Sequence, residues 1–366
     1  MEKKISIFSP HIKDSMIERM VKTLRSGWIN VGEEVESFEK DFAKKFNMKY
    51  AIALNSCTAA LRLAYAIAGV KPGDEVITTP FTMIATNTAI LEQFGKPIFA
   101  DTQYETGNID PLDIEHRITN KTKAIACTHN LGYPCDLDEL KKIAKRNNLL
   151  LIEDCAHAIG AKYKGNYIGS DSDFACFSFA TAKHITTGDG GMLVTNNKDF
   201  YEEAIRRSFF GMDRKKRKIG IYPIDIKEAG YKMRMNDLTA CLGNAQLGDI
   251  DGIISDRKIK AEKYDRLLKD INGVNLMEYK SDRESAYYLY PIHVNDREGF
   301  VKMMKDNGIE AYAQNERNDK HSIFGGVRND LPNTDRIDKD FICLPIHQDI
   351  ILEDIDYITQ TIKKGW

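Results

Sequence analysis

The sequence predicts an α/β fold, with a large domain built on a mainly parallel seven-stranded sheet between helices and a smaller C-terminal α+β domain. Three observations carry this. The chain has 366 residues, more than one ordinary core accommodates. Between about residues 50 and 195, short apolar segments alternate with helical stretches. Near residue 245 the pattern changes to one long helical stretch followed by a compact mixture of helix and strand. The division is placed at 1–245 and 246–366.

Taken in order, AIAL (51–54), DEVITTP (74–80), KPIFA (96–100), AIACTHN (124–130), LLLIEDC (149–155), DFACFSF (173–179) and GMLVTN (191–196) read as strands. Each is short, rich in β-formers and bounded by Gly, Pro or Asp. Between them TAALRLAYAIAG (58–69), ATNTAILEQFG (85–95) and DLDELKKIAKRNN (136–148) carry apolar residues at helical spacing. Strand–helix alternation of this kind implies parallel pairing with both sheet faces covered. Residues 239–271 read as a long helix bent or interrupted near Gly252. AYYLYPIHV (286–294) then reads as a strand, and REGFVKMMKDNG (297–308) and EDIDYITQTIKKG (353–365) as helices. The basic run DRKKRK (213–218) reads as a solvated loop, with an anion contact as the other reading.

With 52 basic and 54 acidic side chains the formal net charge is −2, so no overall field favours nucleic acid or a membrane surface. No apolar run is long enough to span a bilayer, and the first residues, MEKKISIFSPHIKDS, lack the apolar stretch of a signal peptide. A cytoplasmic protein is expected. Its seven cysteines are widely spaced with no CxxC pair, which argues against a disulfide framework and against zinc. No metal is expected.

In an open parallel sheet, ligands collect at the carboxyl ends of the strands. AIAL ends in Asn55-Ser56-Cys57-Thr58 and a helix, where exposed N–H groups and hydroxyls favour a phosphate. Ser56 or Thr58 is equally suited to capping that helix. LLLIEDC delivers Glu153 and Asp154, with His157 three residues on. Such a carboxylate can cap a helix, bind a metal or pair with a ligand cation. DFACFSF ends at Ser178, and Lys183 follows in FATAKHITTGDGG. An amine in a partly dry pocket loses its charge more easily and becomes nucleophilic, although a lysine here could also be a plain surface residue. A phosphate cradle, a buried carboxylate and a nucleophilic lysine at one sheet edge together match pyridoxal 5′-phosphate.

These residues also carry a resemblance. The segments SGWINVGEEVESFEKDFA (26–43), NSCTAALRLAYAIAGVKPGDEVITTPFT (55–82), TKAIACTHNLGYPCDLDEL (122–140), LLIEDCAHAIGAKYKGNYIGSDSD (150–173), FSFATAKHITTGDGGMLVTN (177–196), AGYKMRMNDLTACLGNAQL (229–247) and CLPIHQDI (343–350) resemble the DegT/StrS-type sugar aminotransferases, which have the fold type I architecture. The resemblance implies that Lys183 condenses with the cofactor aldehyde and shuttles protons, that Asp154 holds the ring nitrogen, and that His157 meets the ring 3-hydroxyl. It makes Ser56, Cys57 (through its N–H), Thr58 and Ser178 the phosphate cradle, and sends Arg234 to the phosphate of a neighbouring subunit in a homodimer with shared sites. Met83 stands where the family commonly has an aromatic residue over the ring.

For substrates, the resemblance implies L-glutamate as donor and a nucleotide-linked keto-deoxysugar as acceptor. Trp28, Ile29 and Asn30 are candidates to line the sugar, and Arg317, Asn318 and His321, with Lys320 nearby, are candidates for anion or hydroxyl contacts. A turn-rich surface loop is the other reading of that last group. Alternatives to amino transfer are a sugar dehydratase or lyase, transfer to a small phosphorylated ketone, and a non-catalytic regulatory relative.

Overall fold

Strands as apolar as these are stable only where helices cover both faces, and that requirement sets the architecture. The computed structural model describes residues 4–213 and 225–366. Its strands up to residue 195 are β1 (Tyr50–Leu54), β2 (Glu75–Thr78), β3 (Lys96–Phe99), β4 (Thr122–Thr128), β5 (Leu150–Asp154), the short hairpin β6 (Lys162–Tyr163) and β7 (Asn166–Tyr167), β8 (Phe174–Ser178) and β9 (Gly191–Thr195). Seven of them form one sheet in the order β1-β9-β8-β5-β4-β2-β3. β9 runs antiparallel to both neighbours, and the remaining pairs are parallel. Every strand expected in this region is present.

The period-2 alternation of each strand sorts its side chains between two cores. Ala175, Phe177 and Phe179 join Phe38, Phe42 and Phe46 on one face, whereas Phe174 and Cys176 join Leu61, Ala64 and Tyr65 of the helix Cys57–Ile67 on the other. The same alternation separates Glu153 from Asp154. Asp154 falls on the face of the helices Cys57–Ile67 and Ile84–Leu91.

The expected long helix over 239–271 is two helices, Asp237–Leu247 and Ile250–Leu268. The break is at Gly248-Asp249 rather than near Gly252. Lys13 Nζ holds the Asp249 carboxylate at 2.7 Å at this junction. Gly252 lies within the second helix, with nothing near the place of a side chain.

The rest of the chain adds β10 (Val274–Leu276), β11 (Arg283–Glu284), β12 (Tyr290–Val294) and β13 (Phe341–Leu344). β10, β12 and β13 form an antiparallel sheet covered by the helices Arg297–Asp306 and Leu352–Lys363. Contacts cross the expected division at 245: among them, β11 pairs with β6, and Ile5 bridges Ile309 and packs in the C-terminal core. The strand expected over 286–294 is regular only from Tyr290. Before it, Ala286 N donates to Gly132 O and Tyr288 N to Leu131 O, both at 2.9 Å, which diverts residues 286–288 onto the large unit. Beyond Asp213, the basic run 213–218 lies outside the described residues. No described helix is long and apolar enough to cross a membrane.

Candidate active site

Sheet register brings the strand ends together. Leu54 of β1 pairs with Gly191 of β9, Gly191 with Ser178 of β8, Cys176 with Asp154 of β5, and Asp154 with Thr128 of β4. β1 passes through extended Ser56 into the helix Cys57–Ile67, and the Ser56 hydroxyl accepts the Ala59 N–H at 3.1 Å. Ser56 therefore caps the helix. The N–H groups of Cys57 and Thr58 lie in the first turn, where a helix offers them no internal acceptor. A side chain at Gly191 would come within 2.4 Å of the Ser56 carbonyl carbon and 2.5 Å of the Cys57 nitrogen, so only glycine lets β9 begin this close to the helix N-terminus.

Lys183 sits in the turn after β8. It is half-buried, and its Nζ lies 4.4 Å from the centre of the Tyr288 ring. Loss of hydration lowers its pKa to about 8, against the opposing pull of Cys57 and Asp154. On this basis about half of the cofactor-free Lys183 amine is neutral at pH 8, roughly a hundredfold more than for an ordinary lysine. Reductive methylation of the apoprotein, read by peptide mass across pH, is expected to label Lys183 well below the pH at which other lysines react.

Asp154 is buried. Its Oδ2 accepts from the Thr86 hydroxyl at 2.7 Å and its Oδ1 from the Ala156 N–H at 3.0 Å. Thr86 gives its only hydroxyl proton to Asp154, so the 3.0 Å contact with Thr82 makes Thr82 the donor there. By the same logic Thr128 donates to Thr82, also at 3.0 Å. Three hydroxyls thus point in series toward the carboxylate. Burial still pushes the Asp154 carboxyl up, while Thr86, Ala156 and Lys183 pull it down. A buried carboxylate of this kind fits a ligand cation.

His157 stacks on Tyr288, with ring centres 4.1 Å apart and planes at 8°. Burial, reinforced by Lys183 and His184, keeps its pKa well below the usual value, so the ring is neutral. Its Nδ1 is buried without a partner among the described residues. Such an atom fits a ligand hydroxyl. With an amine, a carboxylate, an unpartnered imidazole nitrogen and a helix N-terminus on one edge, the residues present fit pyridoxal phosphate.

Glu153, on the opposite face, accepts from His129 Nε2 at 2.8 Å and from the Gly169 N–H at 3.0 Å. His129 Nδ1 in turn accepts the Cys135 N–H at 3.0 Å, so the ring has no lone pair to offer a metal. Ser178 is buried beside Lys183's turn, its Oγ accepting from the Ala180 N–H at 3.3 Å. Met83 is exposed at the start of the helix Ile84–Leu91.

Arg234 is placed beside Leu54 by a backbone bridge, and its Nη2 donates to Glu39 Oε1 of its own chain at 3.1 Å. Trp28, Ile29 and Asn30 are exposed. Trp28 borders a cavity of about 680 Å³ with Lys22, Glu33, Glu36 and Asp237, whose lining does not include Lys183.

Two candidates are corrected. Arg317 is not an anion contact. Its Nε and Nη2 each bond Asp319 at 2.7 Å, Nη1 bonds Asp335, and Nη2 also reaches Arg328 O at 3.0 Å. Asn318 is equally committed, donating to Thr82 O and accepting from Asn87 Nδ2, both at 2.8 Å, so it fixes the loop that carries Met83. His321 remains exposed. Arg317→Ala is expected to strand the fully buried Asp319 carboxylate and cost ~3–5 kcal/mol of stability in a urea titration. Loss of acceptor affinity at unchanged stability would contradict this.

Sequence reasoning missed Tyr288 and the threonine chain. Threonines at 82 and 86 stand four apart at a helix start, which was a usable signal. Tyr288 gave none, because its placement depends on non-local pairing with Leu131.

Residues 10–363 match the DegT/DnrJ/EryC1/StrS aminotransferase family. The GDP-perosamine synthase of Escherichia coli O157:H7 is 38% identical over 289 residues, covering 79% of this chain and 76% of that protein. The sugar aminotransferase CalS13 of Micromonospora echinospora superposes with a TM-score of 0.94 at 31% identity, over 98% of this chain and 99% of that one. The pyridoxal-phosphate form of Spr1654 from Streptococcus pneumoniae, a sugar aminotransferase by description, gives 0.93 at 28% identity, covering 99% and 98%. Whole-chain agreement in sequence and fold, around a lysine and carboxylate suited to the cofactor, makes this protein a pyridoxal-phosphate-dependent aminotransferase of the DegT/DnrJ/EryC1/StrS family.

Proposed function

We propose that the enzyme moves an amino group from L-glutamate to the keto group of a nucleotide-linked deoxysugar, using Lys183 as its acid–base group. The observation that carries this reading is the half-buried Lys183, its pKa lowered to about 8, between Asp154, His157 and the helix N-terminus at Cys57. Bound pyridoxal phosphate supplies an aldehyde for amine exchange and an electron-withdrawing ring. Lys183 Nζ would hold that aldehyde at rest and, once freed by the donor's amine, would be the base that takes the donor's α-proton and the acid that returns it to the former aldehyde carbon. Asp154 keeps a proton on the ring nitrogen, with the threonine chain holding the carboxylate ionised. His157 Nδ1 meets the ring hydroxyl. Cys57 N–H, Thr58 and Ser178 would hold the phosphate, and Met83 would lie against the ring. The acceptor half runs the same proton transfers in reverse, so ping-pong kinetics are expected.

The substrate reading is supported by the names of the relatives, one of them a GDP-perosamine synthase. We place Trp28, Ile29, Asn30 and His321 toward the sugar, and the active form is a homodimer. Support for the dimer comes from Ile17, Val21 and Leu24, exposed at helical spacing and continued by exposed Trp28 and Ile29. Within the dimer Arg234 serves the neighbouring subunit's phosphate, sharing or giving up its bond to Glu39. All seven cysteines are unpaired, in keeping with the cytoplasm. The chain folds as two units joined near residue 245.

The test is to load the enzyme with L-glutamate, remove the donor, and add candidate acceptors, a GDP-linked keto-deoxysugar among them. Return of the visible absorbance with a nucleotide-linked sugar is the expected result. Return only with a simple phosphorylated ketone would overturn the acceptor assignment.

A further inference from the structure

Arg257, in the helix Ile250–Leu268, is 1% exposed and has no carboxylate within ion-pair distance among the described residues. Three carbonyl oxygens hold it instead. Nη1 donates to Tyr287 O at 2.9 Å and Tyr288 O at 2.7 Å, and Nη2 donates to the side-chain oxygen of Gln348 at 2.9 Å. Gln348 passes the connection on, its Nε2 donating to His184 O at 3.0 Å, while His184 Nε2 donates to Ala286 O at 2.8 Å. The result is a closed circuit. It links the neighbour of Lys183, the 286–288 segment, the helix of the C-terminal unit and the loop after β13.

We propose that Arg257 is a positioning residue for amino transfer that acts through Tyr288, clamping the 287–288 backbone so that the ring lies beneath the Lys183 amine and against His157. The geometry explains why an arginine stands here. One planar fork reaches the paired backbone carbonyls and the glutamine amide together, which a lysine ammonium on a flexible stem cannot do. A cation buried without a counter-ion is costly, and Arg257 is accordingly pushed down to about 10 by burial. The segment it holds precedes the regular part of β12, and its other backbone ties include Ala286 N–H to Gly132 O, Tyr288 N–H to Leu131 O and the His184 bond to Ala286 O. Tyr288 carries the consequence to the site. Its ring touches both Lys183, at 4.4 Å, and His157, at 4.1 Å. The other groups acting on the lysine are Cys57 and Asp154 from the large sheet side, and His157 and His184 from the neighbouring turns.

The inference rests on Lys183 carrying the cofactor. The experiment titrates the visible absorbance of the holoenzyme against pH for the unchanged protein, Tyr288→Leu, Arg257→Lys and the double variant, with melting temperatures measured alongside. The face of an aromatic ring favours positive charge on a nearby nitrogen. Tyr288→Leu is therefore expected to lower the titration midpoint by roughly half a pH unit or more. Arg257→Lys should move it in the same direction by less. The double variant should go no lower than Tyr288→Leu alone, because the two residues act in series. A lower melting temperature with an unmoved midpoint in Arg257→Lys would make Arg257 purely structural and overturn the proposal, as would additive shifts. Should Arg257→Lys not fold, Gln348→Ala removes one arm of the clamp, and an unmoved midpoint there overturns the proposal equally. A protein with no visible band at all would remove the premise and the inference together, whereas a normal band with a fixed midpoint removes Arg257 alone.

Discussion

Lys183→Ala is expected to fold normally and to lose turnover by ~10⁴-fold or more, at the upper end of what a positioned acid–base group contributes and beyond it. The fold should survive because, among the described residues, the amine makes no ion pair and its ring contact is with Tyr288. What anchors the turn is backbone, Lys183 N to Ala180 O and Thr187 N to Phe179 O, both at 2.9 Å, and alanine keeps both bonds. The function should not survive, since no second amine stands in the site among the described residues. His184, next along the chain, is buried with its Nε2 committed to Ala286 O, and burial keeps it neutral. His157 is nearer the chemistry but also neutral at working pH. Single-turnover mixing with L-glutamate, with circular dichroism as the control for folding, measures this. A correctly folded Lys183→Ala enzyme with near-normal turnover would remove the mechanism.

The second large effect is expected at Asp154. Asp154→Asn keeps the shape, and its one amide oxygen can keep the Ala156 N–H while the Thr86 hydroxyl turns to accept from the new amide nitrogen, so folding should change little. The charge is lost, and with it the partner that keeps a ring nitrogen protonated. Removing one preorganised electrostatic contact of this kind costs ~10²–10³-fold in turnover. The cofactor should still bind through the phosphate cradle at Cys57, Thr58 and Ser178. Cofactor content from absorbance, set beside turnover, separates the two effects. Loss of cofactor in proportion to loss of activity would instead make Asp154 a binding residue, and full activity would make it a structural cap.

What could be read in advance was what local chemistry dictates. The seven strands of the large sheet are apolar runs bounded by breakers, and each formed where expected. Lys183 and Asp154 stood out as candidates for the opposite reason, as charges at or just beyond the ends of apolar strands where burial is costly. Sheet order was not legible, because it depends on crossovers between segments with similar local patterns. Arg317 was misread for a physical reason. A run of Arg, Asn, Asp, Lys and His on a loop looks like a solvated anion site, and only the tertiary structure brings Asp335 and Arg328 O to neutralise and bury the guanidinium beside Asp319. Tyr288 escaped notice because its run of aromatics reads as regular strand, while its real partners, Leu131 and Gly132, lie more than 150 residues away. The helix break moved from Gly252 to Gly248 because an exposed glycine within a helix costs only ~1 kcal/mol, too little to stop it.

The account turns on one covalent claim, that the cofactor resides on Lys183. Borohydride reduction of the holoenzyme fixes the bond, and peptide mass mapping then reads its position. The visible band should be lost, and the cofactor's added mass should appear on the peptide carrying Lys183. Reduction that bleaches the band while placing that mass on any other lysine, or on none, would contradict the claim.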